Sequence, residues 1–351
     1  MRTDRLDYEL PDSCIARYPP ASRDGARMLV VHPDGALDST ISAWPNLLAE
    51  GTLVVLNDTR VFKARLLGSR RPTGGHVELL LLAESEPPIP SQTRQIWHAL
   101  GRANRALAPG TVVEFQSMLA RVIERHSGGE LLVELESEDP ISVVIERIGH
   151  VPIPPYLGRQ DESSDVERYQ TLFARHTGSV AAPTAGLHLS QSILDSLTSR
   201  GILRGFVTLH VGIGTFRPVQ VDELDEHEMH TERFEVREAL VTAVAEARQR
   251  QSQVVAVGTT VVRALESAAD PDRPGYVRAQ QGSTNLLIQP DYRFRVVDGL
   301  LTNFHMPRST LLALVGAFAG LERTLAAYRI AIQRQYRFLS YGDAMWIPEK
   351  I

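Results

Sequence analysis

The sequence predicts an α/β fold: a discontinuous α/β/α sandwich carrying an inserted small antiparallel β-barrel. Three observations predict it. Apolar strands with polar or glycine-rich tips recur at LVVLNDTR (53–60), RGFVTLHVG (204–212) and QVVAVG (253–258), with helical patterns between them. Residues 61–153 are instead short alternating strands, such as GGHVELLLLAE and ELLVELE, separated by Gly and Pro turns, the texture of a barrel. Between these blocks, HTGSVAAPTAGLHLS (176–190) lacks Asp, Glu and Lys yet holds Gly178, Pro183 and Gly186, so it is a buried or cleft-lining loop and not a helix. The expected division is residues 1–60 and 154–351 for the α/β part and 61–153 for the barrel.

In chain order, prolines forbid a long helix in residues 1–27, where Arg17, Arg23 and Arg27 surround Pro19 and Pro20. MLVV (28–31) is a strand, HPDG (32–35) a turn, WPNLLAEG a short helix closed by Gly51. The strand at 53–60 ends in the polar cluster Asn57-Asp58-Thr59-Arg60. ISVVIERIG supplies a helix at the end of the barrel block; VPIPPYLGR is a stiff exit and QDESSDVE (160–167) a charged, mobile loop. SQSILDSLTSRG is a helix with Ser190 as its cap and Gly201 at its end. The strand after it delivers His210 to its tip. REALVTAVAEARQRQ (237–251) is an amphipathic helix, 253–258 a buried strand, and TTVVRALESA (259–268) a helix starting from that strand's tip. Residues 270–282 read as loop, NLLIQP and FRVVDGLLTNFH as further strand, and STLLALVGAFAG as an apolar helix capped by Ser309, followed by another over LERTLAAYRIAIQRQYRF.

Composition narrows the class. At 351 residues the chain has room for about two domains. No run approaches the ~18 apolar residues of a membrane span, and the acidic N-terminus is not a secretory signal. One cysteine, Cys14, excludes an internal disulfide and a cysteine-based metal cluster. A cytoplasmic monomer without a membrane partner is expected. Only Lys63 and Lys350 are lysine, so Lys63 would be the one Schiff-base candidate. The net charge is −5, but residues 60–125 hold ten Arg/Lys against five Glu, a local excess of five that fits contact with a polyanion.

The chemistry-bearing residues gather at the tips. Gly258-Thr259-Thr260 opens a helix and presents free backbone N–H groups, an anion cradle. Arg263 and Glu266 share a helix face, either as an i,i+3 salt bridge or with Arg263 clamping a carboxylate. His188, His210, His227, His230 and His305 are the histidines of interest. His227 and His230 are three apart without a third ligand nearby, so no metal is expected. Asp58, Glu232 and Glu266 are the carboxylates for general-base work. Arg217 stands where a dinucleotide fingerprint would need its third glycine; Walker and nucleophile-elbow patterns are missing.

IARYP…RDGARMLV, LVVLNDTRVFKARL, TGGHVELLLL, GSVAAPTAGLHL, TLHVGIGTFRPV, HEMHTE, VGTTVVRALES, TNFHMPRSTLLALVGAFAG and YRFLSYGDAM occur in order nearly end to end. Together they resemble the S-adenosylmethionine:tRNA ribosyltransferase-isomerases of queuosine biosynthesis. Arg17, Asp291 and Leu189 depart from the family's usual Gln, Gly and Phe. The resemblance implies an enzyme that consumes S-adenosylmethionine as a ribosyl donor, without a further cofactor. Its acceptor is 7-aminomethyl-7-deazaguanine at the tRNA wobble position; the product is epoxyqueuosine, and adenine and methionine leave. That chemistry needs a base for the ribose C5′ proton acidified by the sulfonium, and an anion site for the donor's carboxylate. Base and acid roles fall to Asp58, His188, His210, His230 or Glu232, with His305 completing the pocket. Substrate contacts fall to Arg27, Arg60, Thr184, Gly212, Thr215, Gly258, Thr259, Thr260, Arg263, Glu266 and Asn303. Arg70, Arg71 and Arg102 are the expected tRNA contacts. A tRNA methyltransferase and a non-enzymatic tRNA-binding scaffold are the rival readings.

Overall fold

A computed structural model describes residues 1–212, 214 and 218–350. Strands β1 (Arg27–His32) and β2 (Gly35–Thr40) form an antiparallel hairpin, and β3 (Leu53–Asn57) is buried throughout. The strand expected to run through residue 60 breaks at Asp58. Asn57 Oδ1 accepts the Thr59 N–H at 3.2 Å, a local turn that frees β4 (Thr59–Val61) from the main sheet.

Six strands then close into an antiparallel barrel: β5 (Arg65–Arg70), β6 (His76–Glu84), β7 (Arg94–Ala103), β8 (Val112–Phe115), β9 (Met118–Arg125) and β10 (Glu130–Glu136), in the order β10-β7-β6-β5-β8-β9. Alternate residues point inward, as period-2 patterning requires; on β10 these are Leu131, Val133 and Leu135. Helix α1 (Ile141–Ile148) packs Ile141, Val144 and Ile145 into the same core.

The chain continues through α2 (Asp165–Arg168), β11 (His176–Ser179), α3 (Gln191–Ser199), β12 (Leu203–Leu209), β13 (Glu232–Val236), α4 (Glu238–Gln249), β14 (Val254–Val257) and α5 (Thr259–Ser267). It ends with β15 (Gln280–Thr284), β16 (Gly299–Asn303), α6 (Thr310–Ala319), α7 (Leu321–Gln333) and β17 (Ala344–Ile347). Nine strands form one mixed sheet, β15-β13-β12-β3-β14-β16-β17-β1-β2, in which β12, β3, β14 and β16 run parallel. One face packs against α4 to α7 through Leu240, Val261, Leu265, Leu312 and Tyr328; the other packs against α3 and Trp44. This is the expected α/β/α sandwich with its inserted barrel.

Several local expectations fail for identifiable reasons. WPNLLAEG is only the end of a 3-10 turn, Ile41–Leu47, with Pro45 inside it. Residues 160–167 are not a loose loop: Asp165 is wholly buried, held by both guanidinium nitrogens of Arg159 (2.7 and 2.9 Å) and by the Tyr341 hydroxyl (2.7 Å). NLLIQP is not strand, because Thr284 Oγ1 takes the Leu286 N–H at 3.1 Å and ends the ladder. The strand lies just before it, in β15, where loop was expected. Asp291, where the family usually has Gly, has φ +78°, a conformation that Gly adopts freely and Asp tolerates. Among the described residues no single helix is long and apolar enough to cross a membrane, and α6 and α7 meet at 111°.

Candidate active site

The parallel strands end side by side, β12 in His210, β3 in Asn57, β14 in Gly258 and β16 in Asn303, the edge where open α/β sheets bind ligands. Gly258 has φ +96°, which turns the chain from β14 directly into α5. No side chain caps α5, so the first-turn N–H groups of Thr259 and Thr260 have no intrahelical acceptor. Asn57 ties the tips together: its Nδ2 donates to Leu209 O (2.9 Å) and to Thr260 Oγ1 (3.3 Å), and its Oδ1 accepts the Leu209 N–H (3.0 Å).

These tips enclose a small cavity of about 50 Å³, whose lining includes Thr184, Thr259, Thr260, Thr302, Asn303 and His305. Among the described residues its walls carry no acid, lysine or arginine. His305 is buried, and desolvation pushes its pKa down to about 3, so the ring is neutral; its Nε2 shares a 2.9 Å hydrogen bond with Thr302 Oγ1. His188 lies behind Asn303, on a narrow crevice beside Pro19, Arg23 and Tyr341. Burial lowers its pKa to about 4, and its Nε2 accepts from Asn303 Nδ2 at 3.2 Å. Asn303 Nδ2 also donates to Leu339 O at 3.1 Å, while Asn303 Oδ1 is buried without a partner.

Val211 separates this cavity from a wider cleft of about 390 Å³ against the barrel. His210, Gly212, His230 and Glu232 line one side, and Glu84, Glu86 and His98 from the barrel rim line the other. His210 is half-buried; Thr59 Oγ1 meets its Nδ1 at 2.8 Å, and burial first, then Arg233 and His176, lower its pKa. The ring lies flat against Gly178, where a Cβ would stand 2.8 Å from ring atoms. His230 crowds Gly214 in the same way.

The remaining expected site residues lie elsewhere. Arg263 neither pairs with Glu266 nor faces the cavity: it forms a buried ion pair with Glu232 and donates to Leu286 O at 3.1 Å. Glu266 instead accepts the backbone N–H groups of Arg295, Val296 and Val297 at 2.8 to 3.1 Å. Asp58 is buried away from the cavity, taking the Thr208 hydroxyl at 2.6 Å, with Arg237 and His176 each at 3.5 Å. Arg27 stacks on Tyr336 and donates to Arg334 O at 2.9 Å, and Arg60 is exposed on β4. Thr215 lies outside the described residues. On the barrel, Arg71 pairs with Glu114, Arg70 binds the carbonyls of Arg105 and Ala106, and Arg102 is exposed. Among the described residues no group of three or more His, Cys, Asp or Glu is placed to hold a metal ion. Reading the sequence leaves Thr59, Thr302 and the barrel-rim Glu84, Glu86 and His98 without a role. Thr59 stood within the polar strand end; the rim residues have no local signal, since only the closed barrel carries them to the cleft.

A queuosine biosynthesis protein family model matches residues 3–347. The chain belongs to the queuosine biosynthesis family. Proteins named S-adenosylmethionine:tRNA ribosyltransferase-isomerase are similar to it over nearly their whole length: that of Sorangium cellulosum is 53% identical (99% of this chain, 98% of that protein), that of Gloeobacter violaceus 49% (98% and 95%). The crystal structure of S-adenosylmethionine tRNA ribosyltransferase from Thermotoga maritima is similar at 30% identity, covering 98% of this chain and 99% of that one, with a TM-score of 0.53.

Proposed function

We infer that this chain transfers and isomerises the ribosyl moiety of S-adenosylmethionine onto 7-aminomethyl-7-deazaguanine at the tRNA wobble position, giving epoxyqueuosine-tRNA with release of adenine and methionine. The observation that carries the reading is the shared Val211 wall: a cavity lined, among the described residues, without a charged side chain opens beside a wider cleft against the barrel. In this reading the donor occupies the cavity and the modified base enters between strand tips and barrel rim.

His210 suits the base that removes the C5′ proton beside the sulfonium. Its lowered pKa keeps the ring unprotonated at neutral pH, and Thr59 fixes one ring nitrogen. The substrate's aminomethyl nitrogen then attacks the sugar in its neutral form as adenine leaves, and methionine departs as the epoxide closes. His305 and His188, buried and neutral, position neighbours and do not exchange protons with solvent. S-adenosylmethionine is consumed as a substrate and no other cofactor takes part. The enzyme acts as a cytoplasmic monomer, with residues 1–60 and 154–351 holding the chemistry and 61–153 contacting RNA.

Incubation with donor and tRNA carrying the aminomethyl base should release adenine and methionine, and mass spectrometry of the tRNA should show epoxyqueuosine. Release of S-adenosylhomocysteine would make the protein a methyltransferase instead; no release at all would leave a tRNA-binding scaffold. His210→Ala should cost about two to four orders of magnitude in turnover with folding intact.

A further inference from the structure

Beside the cleft lies a third concavity, of about 640 Å³, which the reaction as read above does not use. His210, Arg233 and Glu86 line both spaces, so the 2.7 Å ion pair between Arg233 Nη1 and Glu86 Oε1 borders both. The floor of this lobe is the outer face of three strands in register. Thr208 on β12 lies opposite Glu235 on β13, and Glu235 opposite Gln281 on β15; two residues along, Arg233 lies opposite Ser283. Side chains alternate along a strand, so these share one face while Phe234 and Val236 turn into the core. A sandwich sheet normally covers its faces with apolar packing, and a polar row across three strands marks a face left for water or a ligand.

Hydrogen bonding divides the polar groups here into two sets. Thr208 Oγ1 donates to Asp58 Oδ1 at 2.6 Å and takes Arg237 Nη2 at 3.1 Å, and Arg237 also pairs with Glu235. That set is spent on the fold. Among the described residues the side chains of Arg175, Thr177, Gln281 and Ser283 have no hydrogen-bond or ion-pair partner, yet all four line the lobe. Arg175 lies over the Phe206 ring at 5.0 Å, which holds its guanidinium in place with its donors free. Glu86 and Glu235 are already paired with Arg233 and Arg237, so Arg175 supplies the lobe's uncompensated charge. A small anion would engage the guanidinium alone. A nucleotide engages all of these groups: its phosphate takes the arginine, and its base edge takes an amide and a hydroxyl that can each donate and accept.

We propose that this lobe holds the nucleotide next to the wobble base in the same tRNA, its base edge on Gln281 and Ser283 and its phosphate on Arg175. The inference rests on the reading that the wobble base enters the cleft, and it adds where the neighbouring nucleotide is read. Recognition of single-stranded loops splays unstacked bases into separate pockets, and the shared wall at His210 puts cleft and lobe next to each other.

Anticodon stem-loops carrying the aminomethyl base test this through adenine release by the full chain. An abasic site on one side of the wobble position should lower kcat/KM about two- to tenfold for each hydrogen bond removed. A Gln281→Ala/Ser283→Ala variant should lose as much on the complete loop and nothing further on that abasic loop, because base and side chains form one contact. Equal abasic penalties in variant and wild type, or a wild type that tolerates an abasic site on either side, overturn the proposal. Arg175→Ala should reduce the slope of log affinity for the stem-loop against log salt by about 0.7, the value for one single-strand phosphate; an unchanged slope also overturns it. The three side chains are exposed, so these variants should keep the wild-type urea midpoint. Absence of adenine release from the wild-type chain with the complete loop would refute the wobble-base reading itself, and the lobe's role with it.

Discussion

Glu232 on β13 and Arg263 on α5 form an ion pair buried between strand and helix, and the second carboxylate oxygen of Glu232 takes the Gly212 N–H at 2.8 Å. One carboxylate thus ties the helix that opens the cavity to the chain that lines the cleft. Arg263→Met leaves that carboxylate buried and unpaired and should destabilise the protein by about 3–5 kcal/mol. A Glu232→Leu/Arg263→Met double variant should lose much less than the two single losses combined, since both charges leave together. Urea unfolding of the four proteins measures the coupling.

Glu266 sits one turn along the same helix but is bound by a different segment. Its carboxylate accepts three backbone N–H groups at residues 295–297, and Tyr292 donates at 3.3 Å. Glu266→Ala strands buried donors that each cost about 1–3 kcal/mol, so the variant should lose stability by several kcal/mol. Glu266→Gln should keep turnover per folded molecule near wild type. A hundredfold fall in kcat with unchanged unfolding would instead make Glu266 a base.

His305 and His188 give stability a defined pH dependence. Both have folded pKa values, about 3 and about 4, below the ordinary imidazole value of 6.5, because burial disfavours the charged ring. Between those values and 6.5 the unfolded chain binds protons that the folded chain does not, so stability is full above pH 6.5 and is lost as pH falls toward 4. Unfolding near pH 5 should take up about two protons, one onto each of these rings. His188→Gln and His305→Gln should each flatten the slope, measured by chemical unfolding from pH 4.5 to 8; a pH-independent midpoint would refute the buried neutral rings.

The strand tips were legible in the sequence because glycine, threonine and histidine at the end of an apolar run have few packing uses. Helix starts were legible for a local reason too: Ser190 Oγ accepts from Ile193 N at 3.3 Å and Ser309 Oγ from Leu312 N at 3.2 Å. Partners from distant segments were not. Arg263 and Glu266 share a helix face, yet their counterions and donors come from β13 and from residues 295–297, which no spacing rule reaches. β15, of sequence QQGST, is an edge strand without hydrophobic alternation, and β17 is four residues long; the ladders that define them are set by strands far away in the chain. The charge of residues 160–167 reads as mobile on its own, whereas Arg159 and Tyr341, outside the segment, hold Asp165 buried.

If the barrel contacts RNA as proposed, its topology makes its arginines unequal partners. Strands β5, β7 and β9 run in the same direction, so Arg70, Arg102 and Arg125 at or near their ends all project at the rim away from the chain's entry at Arg65. Arg71 at that rim is already neutralised by Glu114, with Nε to Oε2 at 2.7 Å, whereas Arg102 and Arg125 are exposed and have no acidic partner among the described residues. A cation spent on a carboxylate releases little from a phosphate backbone, while an unpaired one displaces a condensed counterion. Arg102→Ala and Arg125→Ala should therefore weaken tRNA binding and reduce the slope of log affinity against log salt by about 0.7–0.9 for each phosphate no longer neutralised. Arg71→Ala should change both far less. Filter binding across a salt series measures the difference, and equal effects at the three positions, or none, would move the RNA off this rim.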